Sequence, residues 1–173
     1  AGTIGNHEFD FGLENMARVF RNLNFPIVCS NYKFHEYDLD HTVKPYVILR
    51  RRGIKIGVFG LGPRLDGLVD HKNYRSTEYL DPVATAQQMA DLLHRKGCQF
   101  VICLSHLGWE ESGMGDQEVI SHTRGIDLVL GGHSHTYFKT LRYVRNLDGK
   151  PVPDDQNGKS ALFVGKIKAT FSR

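Results

Sequence analysis

The sequence has little of what marks several protein classes. Its 173 residues include three cysteines, six prolines and one tryptophan. Cys29, Cys98 and Cys103 are odd in number and lie in or beside apolar, strand-like runs. They read as small buried hydrophobes rather than as disulfide partners or zinc ligands. No stretch approaches the roughly 20 apolar residues that span a bilayer. The formal charge is only +3, with Lys and Arg scattered. The run Arg50-Arg51-Arg52 falls at an expected hairpin turn, and no base-stacking aromatic pattern accompanies it. A nucleic-acid duplex is therefore not the expected partner. Neither an initiator Met nor a signal-type apolar segment opens the chain. A motif begins almost at once and an apolar run reaches Phe171, so the chain reads as a piece of a longer protein.

What is present is an ordinary globular mixture, 40% hydrophobic and 24% charged. That is enough for one domain with a core. Leu13, Met16, Ala17, Phe20 and Leu23 form one helical face, closed by Asn24 and Pro26. Residues 26–30 read as a short buried strand. The runs 46–50 and 54–61 read as a hairpin, and 62–79 as irregular. Asp81 caps a helix with Pro82 in its first turn, and Val83, Ala86, Ala90 and Leu93 form its core face. Residues 99–104 show almost no alternation and read as a strand buried on both faces. A short helix over 116–123 and a buried strand over 127–130 follow. The tail reads as a hairpin-like segment at 138–146, a turn at 147–149, a loop through Gly158 and a strand over 160–171. The fold class is α/β, a mixed arrangement of strand–helix–strand units with an antiparallel edge.

The histidines stand out against this frame. GGHSH, residues 131–135, places two imidazoles at i and i+2 directly after a buried strand, with two glycines to turn the backbone. LSHLG, residues 104–108, repeats the arrangement around His106. Surface or hydrogen-bonded histidines would account for either motif alone. Histidines gathered at several strand ends fit a site at the carboxyl edge of the sheet. Imidazoles with an oxygen donor suit zinc, manganese, iron or cobalt, and no cysteine is placed to help. GNHEFD, residues 5–10, is the third unusual segment. Glu8 reads as structural, Asp10 as compatible with a helix N-cap, and Phe9 and Phe11 as core or helix-entry packing. His35, His41, His71, His94 and His122 read as surface residues, and Glu110-Glu111 as a solvated loop.

Taken in order, GNHEFD, LSHLG and GIDLVLGGHSH resemble the later blocks of the calcineurin-like metallophosphoesterases. The match is nearest to their 5′-nucleotidase branch, the 2′,3′-cyclic-nucleotide 2′-phosphodiesterase/5′-nucleotidases. The resemblance implies the later part of a β-sandwich flanked by helices, with residues 1–173 forming one partial catalytic domain. It implies that Asn6, His106 and His133 hold the second of two divalent metal ions and that His135 serves the first. By the same resemblance, His7 is the catalytic histidine beside the substrate phosphate, which Asn6 also adjoins, and Asp10 orients it. The implied activity is removal of phosphate from nucleotides or other small phosphoesters by hydroxide activated between two ions roughly 3.5–4 Å apart. The metals would be Mn, Zn, Co or Fe. The family's earlier Asp-x-His and Gly-Asp-x-x-Asp blocks are not in this sequence, nor is its C-terminal nucleotide-recognition domain. This leaves a second reading, a non-catalytic half that serves as an assembly or binding module, self-associating through an incomplete sheet. The resemblance suggests a periplasmic or cell-surface location.

Overall fold

A computed structural model describes residues 1–110 and 113–171; Glu111 of the expected acidic loop lies outside the described residues. The chain runs through a 3-10 turn (Asn6–Phe9), α1 (Gly12–Phe20), β1 (Ile27–Val28), β2 (Tyr32–Lys33), α2 (Leu39–Thr42), β3 (Val43–Lys44), β4 (Tyr46–Arg51) and β5 (Ile54–Leu61). It continues with α3 (His71–Tyr74), β6 (Glu78–Tyr79), α4 (Pro82–Arg95), β7 (Phe100–Ser105), α5 (Asp116–Ser121), β8 (Leu128–Gly131), β9 (Arg142–Arg145) and β10 (Pro151–Gln156). Six strands form the main sheet in the order β4-β5-β7-β8-β10-β9. The inner four run parallel, and β4 and β9 are antiparallel edges. Two small two-stranded sheets, β1-β3 and β2-β6, lie outside it.

Local chemistry explains the well-formed elements. Arg52 and Gly53 both take positive φ, 49° and 83°, as a two-residue hairpin turn needs. At the start of α4, the Asp81 carboxylate accepts from the Ala84 N–H at 2.7 Å, and Pro82 sits where no helical donor is lost. Ala86, Ala90 and Leu93 of α4 are fully buried against Phe59, Val101 and Cys103 of the sheet. Gly57 leaves the space that Leu93 fills, since a Cβ there would lie 2.8 Å from its methyl carbons. A second core joins Phe9, Leu13, Met16 and Ala17 to Tyr32, Phe34 and Leu39. This core pins the GNHEFD segment to the rest of the domain. The three cysteines are free and buried.

Several expectations are corrected. The stretch 151–156 forms strand β10, not a loop. Its two prolines hide the strand, because they cannot donate to a ladder. They pair only with β9, however, and the parallel pairing to β8 begins at Asp154, beyond both. The run 160–171 is not a strand; it makes no ladder and lies across the sheet, with Phe171 edge-on to Phe100 at 5.5 Å. Strand β7 is not buried on both faces. Val101, Cys103 and Ser105 are buried beneath the helices, while Phe100, Ile102 and Leu104 on the tail side are only half-buried. Helix α1 ends at Phe20, and Leu23 packs on the core from beyond it. Phe11 is 82% exposed rather than packed. Short elements α3 and β6 interrupt the region expected to be irregular. Among the described residues, no helix is long and apolar enough to cross a membrane.

Candidate metal centre

His106 follows β7 and the 132–135 loop follows β8, so both leave the same carboxyl edge of the sheet. The His106 N–H donates to Leu61 O at 2.8 Å, which extends the ladder one residue past β7. The His106 and His133 rings then face each other, their centroids 5.2 Å apart and tilted by 55°. The two loops are tied together directly. The Trp109 N–H donates to Ser134 Oγ at 3.0 Å, and Ser134 Oγ is 2.9 Å from the Thr136 hydroxyl. The Trp109 ring stands edge-on to Phe138 at 4.9 Å.

The third segment meets them through Gly5. A Cβ at Gly5 would lie 2.5 Å from His106 Nε2, so this backbone rests directly on the imidazole. Gly5 has φ −107°, which any residue adopts, so the constraint here is space and not conformation. Gly5→Ala in the full-length protein is expected to displace the His106 ring and weaken manganese binding at least about 10-fold. A manganese titration checks it, and an unchanged affinity would contradict this packing.

Asn6 opens the 3-10 turn immediately after Gly5. Its Oδ1 is buried and finds no hydrogen-bond partner among the described residues. An orphaned carbonyl oxygen in a protein interior is costly unless something binds it. Burial, with the neighbouring His133, His7 and His135 adding to it, lowers the His106 pKa to about 4. His106 is therefore neutral near pH 7, the form in which imidazole binds a cation. His133 and His135 both take positive φ, 79° and 57°. Such backbone strain costs on the order of 1–3 kcal/mol at each residue and clusters at functional sites. Two packed imidazoles, that of His106 neutral, with an orphaned amide oxygen on the segment resting against them, fit a divalent cation of the zinc or manganese type.

His7 and Asp10 stand at the rim. His7 Nδ1 lies 3.0 Å from Asp10 Oδ2, and the side chains are 75% and 50% exposed. Asp10 does not cap α1, whose N-cap is Phe11. Glu8 instead accepts from the Gly5 N–H at 2.6 Å, closing the turn that presents Asn6 and His7. His135 is exposed, yet close enough to His106 to act on its ionisation. A cleft of about 470 Å³ opens beside His133, walled by Arg64, Tyr79, Leu107 and Met114. The Arg64 guanidinium lies 5.3 Å above the Tyr79 ring. A separate cluster, Asp38, Asp40 and His41, brings three ligand atoms within 4.8 Å of one another, but it is exposed on α2 and its flank. Sequence reasoning did not find Ser134, whose hydroxyl bridges the loops; its place between two histidines was the available signal.

The chain is 29% identical to a 5′-nucleotidase of Diplobatis ommata, over all of this chain and 32% of that protein. It is 31% identical to an NAD 5′-nucleotidase of Haemophilus influenzae, over 98% of this chain and 30% of that protein. Among solved structures, a 5′-nucleotidase precursor from Thermus thermophilus superposes with a TM-score of 0.80 at 29% identity, over 89% of this chain and 32% of that chain. The chain thus spans about a third of the length of these relatives. The family model for calcineurin-like phosphoesterases matches residues 1–137, a span that contains all three histidine-bearing segments. This chain belongs to the calcineurin-like phosphoesterase family.

Proposed function

We propose that this chain is the later part of the catalytic domain of a metal-dependent phosphoester hydrolase that removes phosphate from nucleotides. The observation that carries the reading is the buried, partnerless Asn6 Oδ1, one residue after the glycine that rests on the His106 imidazole, with the His133 ring packed against His106. Asn6, His106 and His133 would hold one divalent cation, and His135 would contribute to a second. Asn6 adds a ligand without adding negative charge that would repel a phosphate. Bound cations supply Lewis-acid charge for the phosphate oxygens and acidity for a nucleophilic water.

The remaining work falls to His7. With Nδ1–H donated to Asp10, Nε2 faces outward, able to bond a phosphate oxygen or pass a proton to the leaving oxygen. Asp10 fixes the ring orientation and the tautomer. The open cleft beside His133 leaves room for the organic part of the substrate. The nucleotide preference follows the names of the relatives, several of which are 5′-nucleotidases. The family resemblance of the histidine-bearing motifs extends this reading to a periplasmic or cell-surface location.

The test is metal analysis of the full-length protein together with hydrolysis of AMP and of bis-p-nitrophenyl phosphate, with and without manganese. Manganese-dependent release of phosphate from AMP is the expected result. A protein that binds manganese but cleaves neither compound would refute the hydrolase reading.

A further inference from the structure

A buried polar network that the proposed chemistry does not use lies beneath the histidine loops. Asp116, at the start of α5, is 1% exposed, and Asp154 of β10 is 0% exposed. Ser105, the last residue of β7, donates its hydroxyl to Asp116 Oδ1. The same Ser105 oxygen accepts from the Leu107 N–H at 3.2 Å, so it brackets His106 on both sides. Gln156 donates through Nε2 to Asp116 Oδ2 at 2.7 Å and, more weakly, to Asp154 Oδ1 at 3.4 Å. Gln156 pairs in register with Gly131, the last residue of β8 before the His133 loop. A Cβ at Gly131 would collide with both the Gln156 amide and the Asp116 carboxylate. The network therefore touches the strand ends that carry His106 and His133, and it touches both through Asp116.

Its proton count is constrained. Burial raises the pKa of both carboxyl groups, and the charge of Asp116 pushes that of Asp154 up further. Asp155, next along β10, adds to that repulsion. The Cys103 thiol beside them stays neutral, its pKa raised by burial and by both aspartates. Asp154 Oδ2 has no partner among the described residues. An ionised Asp154 would thus be a second buried negative charge with an unsatisfied oxygen. A neutral Asp154 removes the repulsion. Asp116 accepts from Ser105 through Oδ1 and from Gln156 through Oδ2.

We propose that Asp116, held by Ser105 and Gln156, is a positioning residue that sets the separation of His106 and His133 from beneath. The proposal rests on the metal-site reading above, because its effect is exerted through those two imidazoles. Asn at 154 reproduces the neutral carboxyl in shape and can donate. Asn at 116 turns an N–H2 toward one of these two donors and cannot accept from both.

The experiment is manganese titration of the full-length protein by calorimetry, with kcat and KM for p-nitrophenyl phosphate measured alongside. Asp116→Asn is expected to weaken manganese binding about 10- to 100-fold and to lower kcat with little change in KM. Asp154→Asn should stay within about 2-fold of the parent in both metal affinity and kcat. Ser105→Ala removes a single hydroxyl and should weaken binding severalfold; it decides the matter if Asp116→Asn does not fold. Equal losses in Asp154→Asn and Asp116→Asn would overturn the proposal, as would native affinity in folded Asp116→Asn or in Ser105→Ala. His133→Gly serves as the control. If it too keeps manganese, the metal-site reading falls and the positioning role with it; if it loses manganese while Ser105→Ala does not, only the positioning role falls.

Discussion

In the full-length protein, His7→Ala is expected to lower kcat for AMP hydrolysis by at least about 100-fold, the usual range for losing a positioned acid–base group. Metal content should remain within experimental error of the parent. The asymmetry follows from placement. The His7 ring is largely in solvent and turned to Asp10, whereas the orphaned Asn6 oxygen and the His106–His133 pair lie deeper. Removing an exposed ring leaves no cavity and no unpaired buried group, so the thermal midpoint should also hold. Elemental analysis and steady-state kinetics on one preparation check both halves. Loss of metal together with activity would assign His7 to the cation site and reverse the division of roles.

His133→Gly should produce the opposite pattern, a folded protein that no longer retains its metal. His133 occupies φ 79°, a conformation that costs a residue bearing a Cβ about 1 kcal/mol or more and costs glycine little. Alanine at this position would confound ligand loss with backbone strain. Glycine relieves the strain and removes only the imidazole. The metal-free variant should therefore melt within a few degrees of the metal-free parent, while manganese binding falls by at least about 100-fold. Melting curves with and without manganese give the measurement. A variant still stabilised by manganese as strongly as the parent would exclude His133 as a ligand.

The sequence revealed some parts of this arrangement and concealed others, for physical reasons. Strands β5, β7 and β8 were legible as apolar runs, and β7 and β8 also lead into glycine-flanked histidines, a pattern that a buried parallel sheet with a functional edge imposes. Helix α4 announced itself through Asp81, Pro82 and a regular apolar face. Strand β10 was concealed because Pro151, Pro153 and two aspartates belong to its pairing and not to a propensity. The apolar run 160–171 misled in the opposite direction, since it covers the sheet without joining the ladder. Asn6, His106 and His133 could be singled out by motif. Their supporting residues could not, because Ser105, Asp116, Asp154 and Gln156 are ordinary polar residues until the sheet register brings them together.

The bond from Trp109 to Ser134 gives this chain an optical property. Its sole indole lies on the seam between the two histidine loops, anchored to one and hydrogen-bonded to the other through the backbone at 3.0 Å. Any widening or narrowing of that seam alters the polarity around the ring, so its fluorescence is a native gauge of loop spacing that needs no attached dye.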